Sequence, residues 1–269
     1  KGANNCVVSK KISKISKNKV IKVFNTYNFL KKLAFFKRNH SNGKIIAVTG
    51  SSGKTSVKNL IGNLLKNYGE TYFSPRSYNN SYGVPLSLCN LEQSHKYGVF
   101  EVGMSKKGEI DTLSKIVRPN IAIITNVAEA HIENFKNLNH IARAKGEIID
   151  NISKSGSLII DRDSKFYSYF KSKAIKRKIK VFSVGYNSKS DVKIIKVKDF
   201  FNYKLITIKS FGKDYKFKIK GQLIKNISFA IAALEILNLN ISRIKNKIQN
   251  IKILEGRGKI YKVKYKNFN

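Results

Sequence analysis

The stretch KIIAVTGSSGKTS, residues 44–56, decides the fold. It begins as a β-branched run, which predicts a buried strand. The run breaks at a glycine and passes through a Ser-Ser-Gly turn into a helical stretch. Glycines let backbone N–H groups close around phosphate oxygens, and the start of a helix adds partial positive charge. The sequence therefore predicts a phosphate-binding loop, formed by Gly50, Ser51, Ser52, Gly53, Lys54, Thr55 and Ser56.

Two side chains of this loop carry the predicted chemistry. Lys54 is expected to reach the β- and γ-phosphates of a nucleotide, and the Thr55 hydroxyl is expected to bind Mg²⁺. The spacing is the short form G-x-x-G-K-T, because Val48 stands where the common pattern has its first glycine. The alternative is a plain Ser/Gly turn between strand and helix. A Lys-Thr pair directly after a strand favours the phosphate loop.

Strand and helix patterns alternate along most of the chain. This alternation predicts an α/β fold with a doubly wound, mostly parallel sheet and a P-loop, followed by a short antiparallel section. The predicted strands are 2–8, 44–49, 70–73, 97–100, 120–125, 157–160 and 180–184, then the antiparallel runs 192–197, 205–208 and 215–219. The predicted helices are 26–38, 53–67, 137–152, 221–237 and 241–251, and residues 74–85 are predicted to form a long polar loop.

The chain is strongly basic, with 53 Lys and Arg against 16 Asp and Glu and a formal net charge of +37. Such a charge suits a polyanion-binding module. Against that interpretation, the lysines are spread over every segment, and no single face is predicted to collect them. Lys, Asn and Ile share A/T-rich codons, so genome composition is a sufficient cause. We expect no specific nucleic-acid partner.

Targeting and redox signals are few. No apolar run reaches the roughly 18 residues that a membrane-spanning helix needs, and the first residues lack a signal-peptide pattern. Cys6 and Cys89 have no metal-binding spacing. We therefore expect a cytoplasmic protein. The sequence carries no signal of oligomeric state, and a monomer is the default expectation.

Polar residues follow two further predicted strands. In open α/β sheets, ligands bind at the carboxyl ends of the strands. Glu101 closes one apolar run and is a hard oxygen ligand suited to Mg²⁺, while Asn126 and His131 follow another. The alternative for Glu101 is a surface carboxylate, and the alternative for His131 is a structural or exposed histidine. The remaining histidines, His40, His95 and His140, are predicted to be surface residues. Lys145 is one helix lysine among many, and its local sequence does not mark it as functional.

Five motifs occur in order along the chain: TGSSGKT (49–55), NNSYGVP (79–85), FEVGMSKKGEI (100–110), PNIAIITNVAEAHIENF (119–135) and ARAKGEI (142–148). Together they resemble the Mur ligase family over about residues 43–258. The short loop is that family's version of the P-loop. The pattern E-x-G-x-x-x-x-G-E-I from Glu101 resembles the members that add D-alanyl-D-alanine, since other Mur ligases and folylpolyglutamate synthases carry different residues there.

The resemblance implies roles for single residues. It implies ATP as nucleotide and two Mg²⁺ sites, with the metal ligands Thr55, Glu101, His131 and Lys145, the last as an N-carbamate. Catalytic roles are implied for Lys54, Glu101, His131 and Lys145. Further nucleotide contacts are implied for Asn126, Asn226 and Arg257, and substrate contacts for Asn79 and Asn80. Gln222 stands where the family has a histidine, which puts the adenine contact next to Asn226 in question.

The implied reaction is the ATP-dependent ligation of D-Ala-D-Ala to UDP-N-acetylmuramoyl-tripeptide through an acyl phosphate, a step of peptidoglycan precursor synthesis. Residues 1–42 resemble the end of a UDP-sugar-binding domain, 43–255 the central ATP-binding domain, and 256–269 the start of a third domain. Without the rest of that third domain, the chain alone is expected to be inactive in ligation. Two alternatives stay open: another Mur-type or folylpolyglutamate-type amide ligase, and a polyanion-binding module with a vestigial ATP loop.

Overall fold

The computed structural model describes residues 3–10, 12, 16–130, 132–220 and 224–249. Four sequence predictions concern residues outside these ranges: His131, Gln222, Arg257 and the domain start at 256–269. None of the described helices is long and apolar enough to cross a membrane.

The described residues form two sheets. Strands β1 (Cys6–Val8) and β2 (Val20–Lys22) pair in parallel as a small separate sheet. The large sheet contains, in chain order, β3 (Lys44–Thr49), β4 (Thr71–Phe73), β5 (Tyr97–Glu101), β6 (Ile121–Ile124), β7 (Ser157–Asp161), β8 (Lys180–Gly185), β9 (Val192–Phe200), β10 (Tyr203–Ser210) and β11 (Lys213–Ile219). Its helices are α1 (Thr26–Asn39), α2 (Lys54–Leu65), α3 (Gly83–Cys89), α4 (Glu109–Val117), α5 (Leu138–Lys145), α6 (Tyr167–Lys176), α7 (Ile224–Ile236) and α8 (Lys245–Gln249).

The strand order of the large sheet is β11-β10-β9-β8-β7-β6-β3-β5-β4. All neighbours from β4 to β9 pair in parallel, while β9, β10 and β11 pair antiparallel. This confirms the predicted α/β class, with its mostly parallel sheet and short antiparallel section. Strand β3 lies between β5 and β6, so its carboxyl end meets the ends of both neighbours.

The central strands are apolar on both faces because helices cover both faces. Alternate residues of β3 enter different cores: Ile46 and Val48 pack with α2 and α7, whereas Ile45 and Ala47 pack with α3, α4 and α5. In α2, apolar residues at helical spacing (Val57, Leu60, Ile61, Leu64) are buried against the sheet. These two cores hold the β3–α2 turn, residues 50–53, at the carboxyl end of the central strands.

Several boundaries differ from the sequence prediction. The predicted polar loop 74–85 ends early, because α3 already begins at Gly83. The predicted helix 137–152 is α5 followed by a short 3₁₀ helix over 146–151. Helices α4 and α6 were not predicted. The α4 helix depends on a distant cap, because Glu147 accepts hydrogen bonds from the backbone N–H groups of Gly108 and Asp111.

Candidate active site

The β3–α2 turn has the conformation that a phosphate-binding loop needs. Gly50 and Gly53 have φ angles of 150° and 77°, a region that disfavours residues with a Cβ. A Cβ at Gly50 would lie 1.9 Å from the Thr125 hydroxyl, so the close approach of the next strand also requires glycine. Helix α2 starts at Lys54, directly after Gly53, and directs its first N–H groups toward the turn.

The loop after β6 holds this turn in place. The Ser52 N–H donates to Asn126 Oδ1 at 2.9 Å, and Asn126 Nδ2 donates to Ser52 Oγ at 2.6 Å. The Thr125 hydroxyl donates to the Ser52 carbonyl oxygen at 2.6 Å, and Ser51 bonds to the backbone of Ala128. The side chain of Asn126 is therefore bonded directly to the turn, which brings two of the predicted site residues together.

Lys54 lies over the same turn. Its ammonium donates to the carbonyl oxygens of Gly50 at 2.8 Å and Ser51 at 3.2 Å. These contacts hold the cation at the end of β3, where phosphate oxygens would lie against the loop. A phosphate can replace neutral carbonyl acceptors with stronger charge-assisted hydrogen bonds.

Thr55 and Glu101 are joined by the segment between β4 and α3. The Thr55 hydroxyl lies 3.4 Å from Ser77 Oγ, and Asn79 Nδ2 donates to Glu101 Oε1 at 2.7 Å. The Gly103 N–H also donates to the Asn79 carbonyl oxygen at 2.7 Å. Two of the four implied metal ligands, Thr55 and Glu101, therefore contact one short segment, residues 77–79.

The second oxygen of Glu101 tests whether the residues suit a hard cation. Glu101 is 1% exposed, and its Oε2 atom has no hydrogen-bond partner among the described residues. A buried carboxylate oxygen without a partner is costly, and a bound Mg²⁺ removes that cost. The described residues contain no cluster of three or more His, Cys, Asp or Glu side chains that could hold a metal. Glu101 and the Thr55 hydroxyl thus fit an ion that takes its remaining ligands from phosphate oxygens and water.

Lys145 ends α5 and is buried, with 3% of its surface exposed. Burial and, to a lesser extent, the charge of Lys54 lower the pKa of Lys145 from 10.5 to about 7. No hydrogen bond or ion pair joins its ammonium to a described residue. Part of the Lys145 population is therefore a neutral amine near neutral pH, which is the form that reacts with CO₂.

The depressed pKa of Lys145 predicts a pH-dependent stability. Between pH 7 and 10.5 the unfolded chain keeps a proton on this lysine that the folded chain has lost, so stability rises with pH in this window. Relative to Lys145→Met, the free energy of unfolding of the unchanged chain should rise by roughly 2 kcal/mol from about pH 7 to about pH 9. Urea denaturation in metal-free, CO₂-depleted buffer measures this difference. Parallel pH curves for the two proteins would contradict it.

Lys58 is a residue that the sequence analysis missed. It lies one turn after Thr55 on α2 and is 0% exposed. Its ammonium donates to the carbonyl oxygens of Ser74 at 2.5 Å and Arg76 at 2.7 Å. Helix α2 therefore fixes the segment that carries Ser77 and Asn79. The signal in the sequence was a lysine at an otherwise apolar helix position, but 53 basic residues hide one such lysine.

Replacing Lys58 with methionine is expected to lower the free energy of unfolding by about 2–4 kcal/mol, because the buried Ser74 carbonyl and the partly buried Arg76 carbonyl lose their charged donor. Mg·ATP affinity should fall as well, since residues 77–79 lose their anchor. Denaturation and calorimetry measure the two effects. Lys66→Met is the matched control, because Lys66 caps the end of the same helix and is exposed. Equal behaviour of both variants would contradict the anchoring role.

Asn226 approaches the P-loop from α7. A Cβ built on Gly53 would lie 3.5 Å from Asn226 Oδ1, so the amide lies next to the turn. The preceding residue, Lys225, forms ion pairs with Asp161 at 2.7 Å and Asp163 at 3.0 Å. These pairs attach the start of α7 to the end of β7 and thereby fix the position of Asn226.

Asn80, the second residue predicted to contact substrate, has a local structural contact. Its Oδ1 accepts hydrogen bonds from the N–H groups of Tyr82 and Gly83, where α3 begins. Its substrate contact stays a prediction. The same holds for His131 and Arg257, which lie outside the described residues.

The β3–α2 turn has the form of a P-loop at the end of a central strand. A buried acid, Glu101, lies on the neighbouring strand, and burial and the charge of the P-loop lysine lower the pKa of the buried Lys145. These features define an α/β protein of the nucleotide-binding P-loop class. The model of the Mur ligase middle domain matches residues 48–236. The chain belongs to the Mur ligase family.

Curated relatives carry one common name. The chain is 34% identical to the UDP-N-acetylmuramoyl-tripeptide--D-alanyl-D-alanine ligase of Rickettsia prowazekii (strain Madrid E), over 98% of this chain and 60% of that protein. It is 36% identical to the ligase of the same name from Buchnera aphidicola subsp. Baizongia pistaciae (strain Bp), over 91% of this chain and 54% of that protein. The chain thus spans less than two thirds of the length of these relatives.

Solved structures agree with this placement. A crystal structure of MurF from Acinetobacter baumannii matches with a TM-score of 0.84 and 27% identity, over 93% of this chain and 55% of that one. MurF ligase from Thermotoga maritima in complex with ADP matches with a TM-score of 0.81 and 26% identity, over 97% and 60%.

Proposed function

We propose that this chain is the nucleotide-binding part of an ATP-dependent ligase that adds D-alanyl-D-alanine to UDP-N-acetylmuramoyl-tripeptide in the cytoplasm. Residues 43–255 form its central domain, and 1–42 and 256–269 belong to the flanking domains. One observation carries the proposal: the buried Glu101 carboxylate, with its unpartnered oxygen, is joined through residues 77–79 to Thr55 of the P-loop. The names of the relatives supply the substrate class.

The chain's own residues would act mainly by positioning and charge neutralisation. The N–H groups of the β3–α2 turn and the Lys54 ammonium bind the β- and γ-phosphates of ATP. A carboxylate of the tripeptide then attacks the γ-phosphorus, and ADP leaves. The amine of D-Ala-D-Ala attacks the resulting acyl phosphate, inorganic phosphate leaves, and the amine loses a proton.

Thr55 and Glu101 would hold Mg²⁺, which when bound neutralises phosphate charge that otherwise repels the attacking carboxylate. Lys145 would contribute to a second metal site as a carbamate: its neutral amine adds to CO₂ and releases a proton, which turns a buried cation into an oxygen ligand. His131 is proposed as a further ligand there. Asn126 supports the phosphate loop, Asn226 and Arg257 contact the nucleotide, and Asn79 and Asn80 lie on the substrate side.

The motif at residues 101–110 supports the choice of the D-alanyl-D-alanine-adding member by its resemblance to that member, beside the names of the relatives. In this segment Gly108 has a φ of 86° and precedes α4, and Glu147 of the ARAKGEI motif caps that helix. The two GEI motifs are thus one structural unit that connects Glu101 to Lys145. The likeness to a mutant of L. casei FPGS, with a TM-score of 0.68 and 14% identity, shows the fold alone.

Two measurements test the proposal. Calorimetry on the chain itself should detect Mg·ATP binding that EDTA weakens. The full-length protein should release phosphate from ATP only when UDP-N-acetylmuramoyl-tripeptide and D-Ala-D-Ala are both present, with single D-amino acids, L-amino acids and folate with glutamate as control substrates. Phosphate release with one of those control sets would assign a different amide ligase. ATP binding without any substrate-dependent phosphate release would remove the ligase assignment.

A further inference from the structure

Among the described residues, helices α7 and α8 cover one face of the antiparallel end of the sheet, and no described helix covers the other. Strands β9, β10 and β11 pack their Ile194, Ile206 and Phe217 side chains into the core that contains α7 and α8. Residues paired across the three strands share a face, and alternate pairs point the other way. The opposite face is therefore the outer surface of this part of the sheet.

The register collects lysines on that outer face. Leu205 pairs with Lys198 and Lys218, and Thr207 pairs with Lys196 and Lys216. Lys209 pairs with Lys193 and with Asp214, the single acid on the face. We call this surface the lysine face, and it is formed by Lys193, Lys196, Lys198, Lys209, Lys216 and Lys218.

Within the described part of the chain, no ion pair neutralises a lysine of the lysine face. The ion pairs of the described residues involve other lysines, and none includes a member of the lysine face. Five of the six side chains are exposed, and Lys193 is partly buried. The expectation that no face gathers the lysines was therefore incomplete. The face on which each lysine lies depends on the strand pairing, which includes a register shift between Thr207 and Ile208 that brings Lys193 and Lys196 to the same face.

Apolar side chains lie at one end of this face. The β9–β10 turn carries Phe201, which is 86% exposed, next to Phe200, which is 45% exposed. Phe200 and Tyr203 stack with ring centroids 4.6 Å apart, and Lys218 lies 4.1 Å above the Tyr203 ring. A broad cationic plane thus ends in a protruding aromatic tip.

We propose that the lysine face binds the surface of an anionic lipid bilayer, with Phe201 inserted at the interface. Three strands about 4.8 Å apart form a plane that matches a bilayer surface, and clustered lysines are attracted to anionic headgroups. Exposed aromatic rings at such a surface add apolar burial. This inference goes beyond the proposed ligase function and does not depend on it.

A single-stranded nucleic acid is the competing occupant, and the structure favours it less. Sequence-independent binding of single strands uses aromatic rings on which bases stack. On this face the Tyr203 ring is already in contact with Phe200 and Lys218. Strands β9–β11 contain no arginine, the side chain whose planar fork suits nucleic-acid phosphates.

Vesicle co-sedimentation tests the proposal on the chain itself. Vesicles of phosphatidylcholine with about one third phosphatidylglycerol should bind the chain at low salt, and pure phosphatidylcholine should not. The face variant replaces Lys196, Lys198 and Lys216 with glutamine and keeps Lys218, which contacts Tyr203. The control variant replaces three exposed lysines elsewhere, Lys32, Lys44 and Lys154, with glutamine. It therefore has the same net charge as the face variant.

The face variant should lose on the order of 100-fold in partition coefficient, because each lysine near the surface contributes roughly fivefold. The control should lose less than roughly tenfold, since distant charges are screened. Phe201→Ser should weaken vesicle binding without changing retention of poly(U) RNA. Equal losses in the two lysine variants would overturn the proposal, and so would loss of poly(U) binding with unchanged vesicle binding. Unchanged melting temperatures and Mg·ATP affinity would show that both variants are folded.

Discussion

Lys54→Ala is expected to lower the affinity of the chain for Mg·ATP by roughly 100- to 1,000-fold, because hydrogen bonds to charged groups contribute about 1.5–3 kcal/mol each. In the structure the Lys54 ammonium lies over the turn, bonded to the Gly50 and Ser51 carbonyl oxygens. Alanine removes the cation that faces the phosphates and leaves the backbone N–H groups of the loop in place. Weak residual binding through those N–H groups is therefore expected. Isothermal titration calorimetry with ATP and with ADP measures the loss.

The controls for Lys54→Ala must distinguish the loss of a contact to the nucleotide from the loss of the folded structure. Lys66→Ala removes one charge from the end of the same helix at an exposed position and should leave the affinity unchanged. Lys54→Arg keeps the charge but changes its reach, so it should recover part of the affinity. Because the turn is held by Asn126 and Thr125, the melting temperature of Lys54→Ala should stay close to that of the unchanged chain. Equal ATP affinity in Lys54→Ala and Lys66→Ala would contradict the phosphate-binding role.

The sequence was most informative where local pattern and tertiary packing agree. The β-branched run of β3 and the apolar stripe of α2 each suffice to predict their element, and glycines mark the turn between them. The pairing register of the strands could not be predicted from local pattern. The β-strand alternation in residues 192–219 predicted the antiparallel section, but only the register brings Lys196 and Lys216 to either side of Thr207.

The parts of the site that escaped prediction depend on contacts between distant segments. The anchoring role of Lys58 is recognisable through its bonds to the Ser74 and Arg76 carbonyl oxygens, which lie 16 and 18 residues later in the chain. Helix α4 is short, and a cap from Glu147 completes its start. Lys145 was named through family resemblance alone, and its unusual property, a pKa of about 7, arises from burial and from Lys54. The one local signal among these features, a lysine at an apolar position of α2, is hidden among 53 basic residues.

Lys145→Ala is expected to lower turnover of the full-length protein in the proposed ligation by roughly 100-fold or more, with a much smaller effect on nucleotide affinity. The physical reason is charge. A buried ammonium beside Lys54 would repel a metal, whereas a carbamate of the same side chain supplies anionic oxygen at that place. The alanine variant leaves a space in which a small carboxylate can supply that oxygen. Turnover should therefore recover in part with added acetate or formate.

A purely structural role for Lys145 predicts a different result, because lost packing would lower turnover without rescue by carboxylates. Lys145→Met is the matched control: it keeps the bulk of the side chain and leaves no space, so its turnover should fall without rescue. Arg143→Ala, an exposed neighbour on the same helix, should keep full turnover. Rescue confined to the alanine variant would assign the missing group as an anionic oxygen. Full turnover of Lys145→Ala without any additive would remove the carbamate from the mechanism and leave Thr55, Glu101 and His131 as the proposed metal ligands.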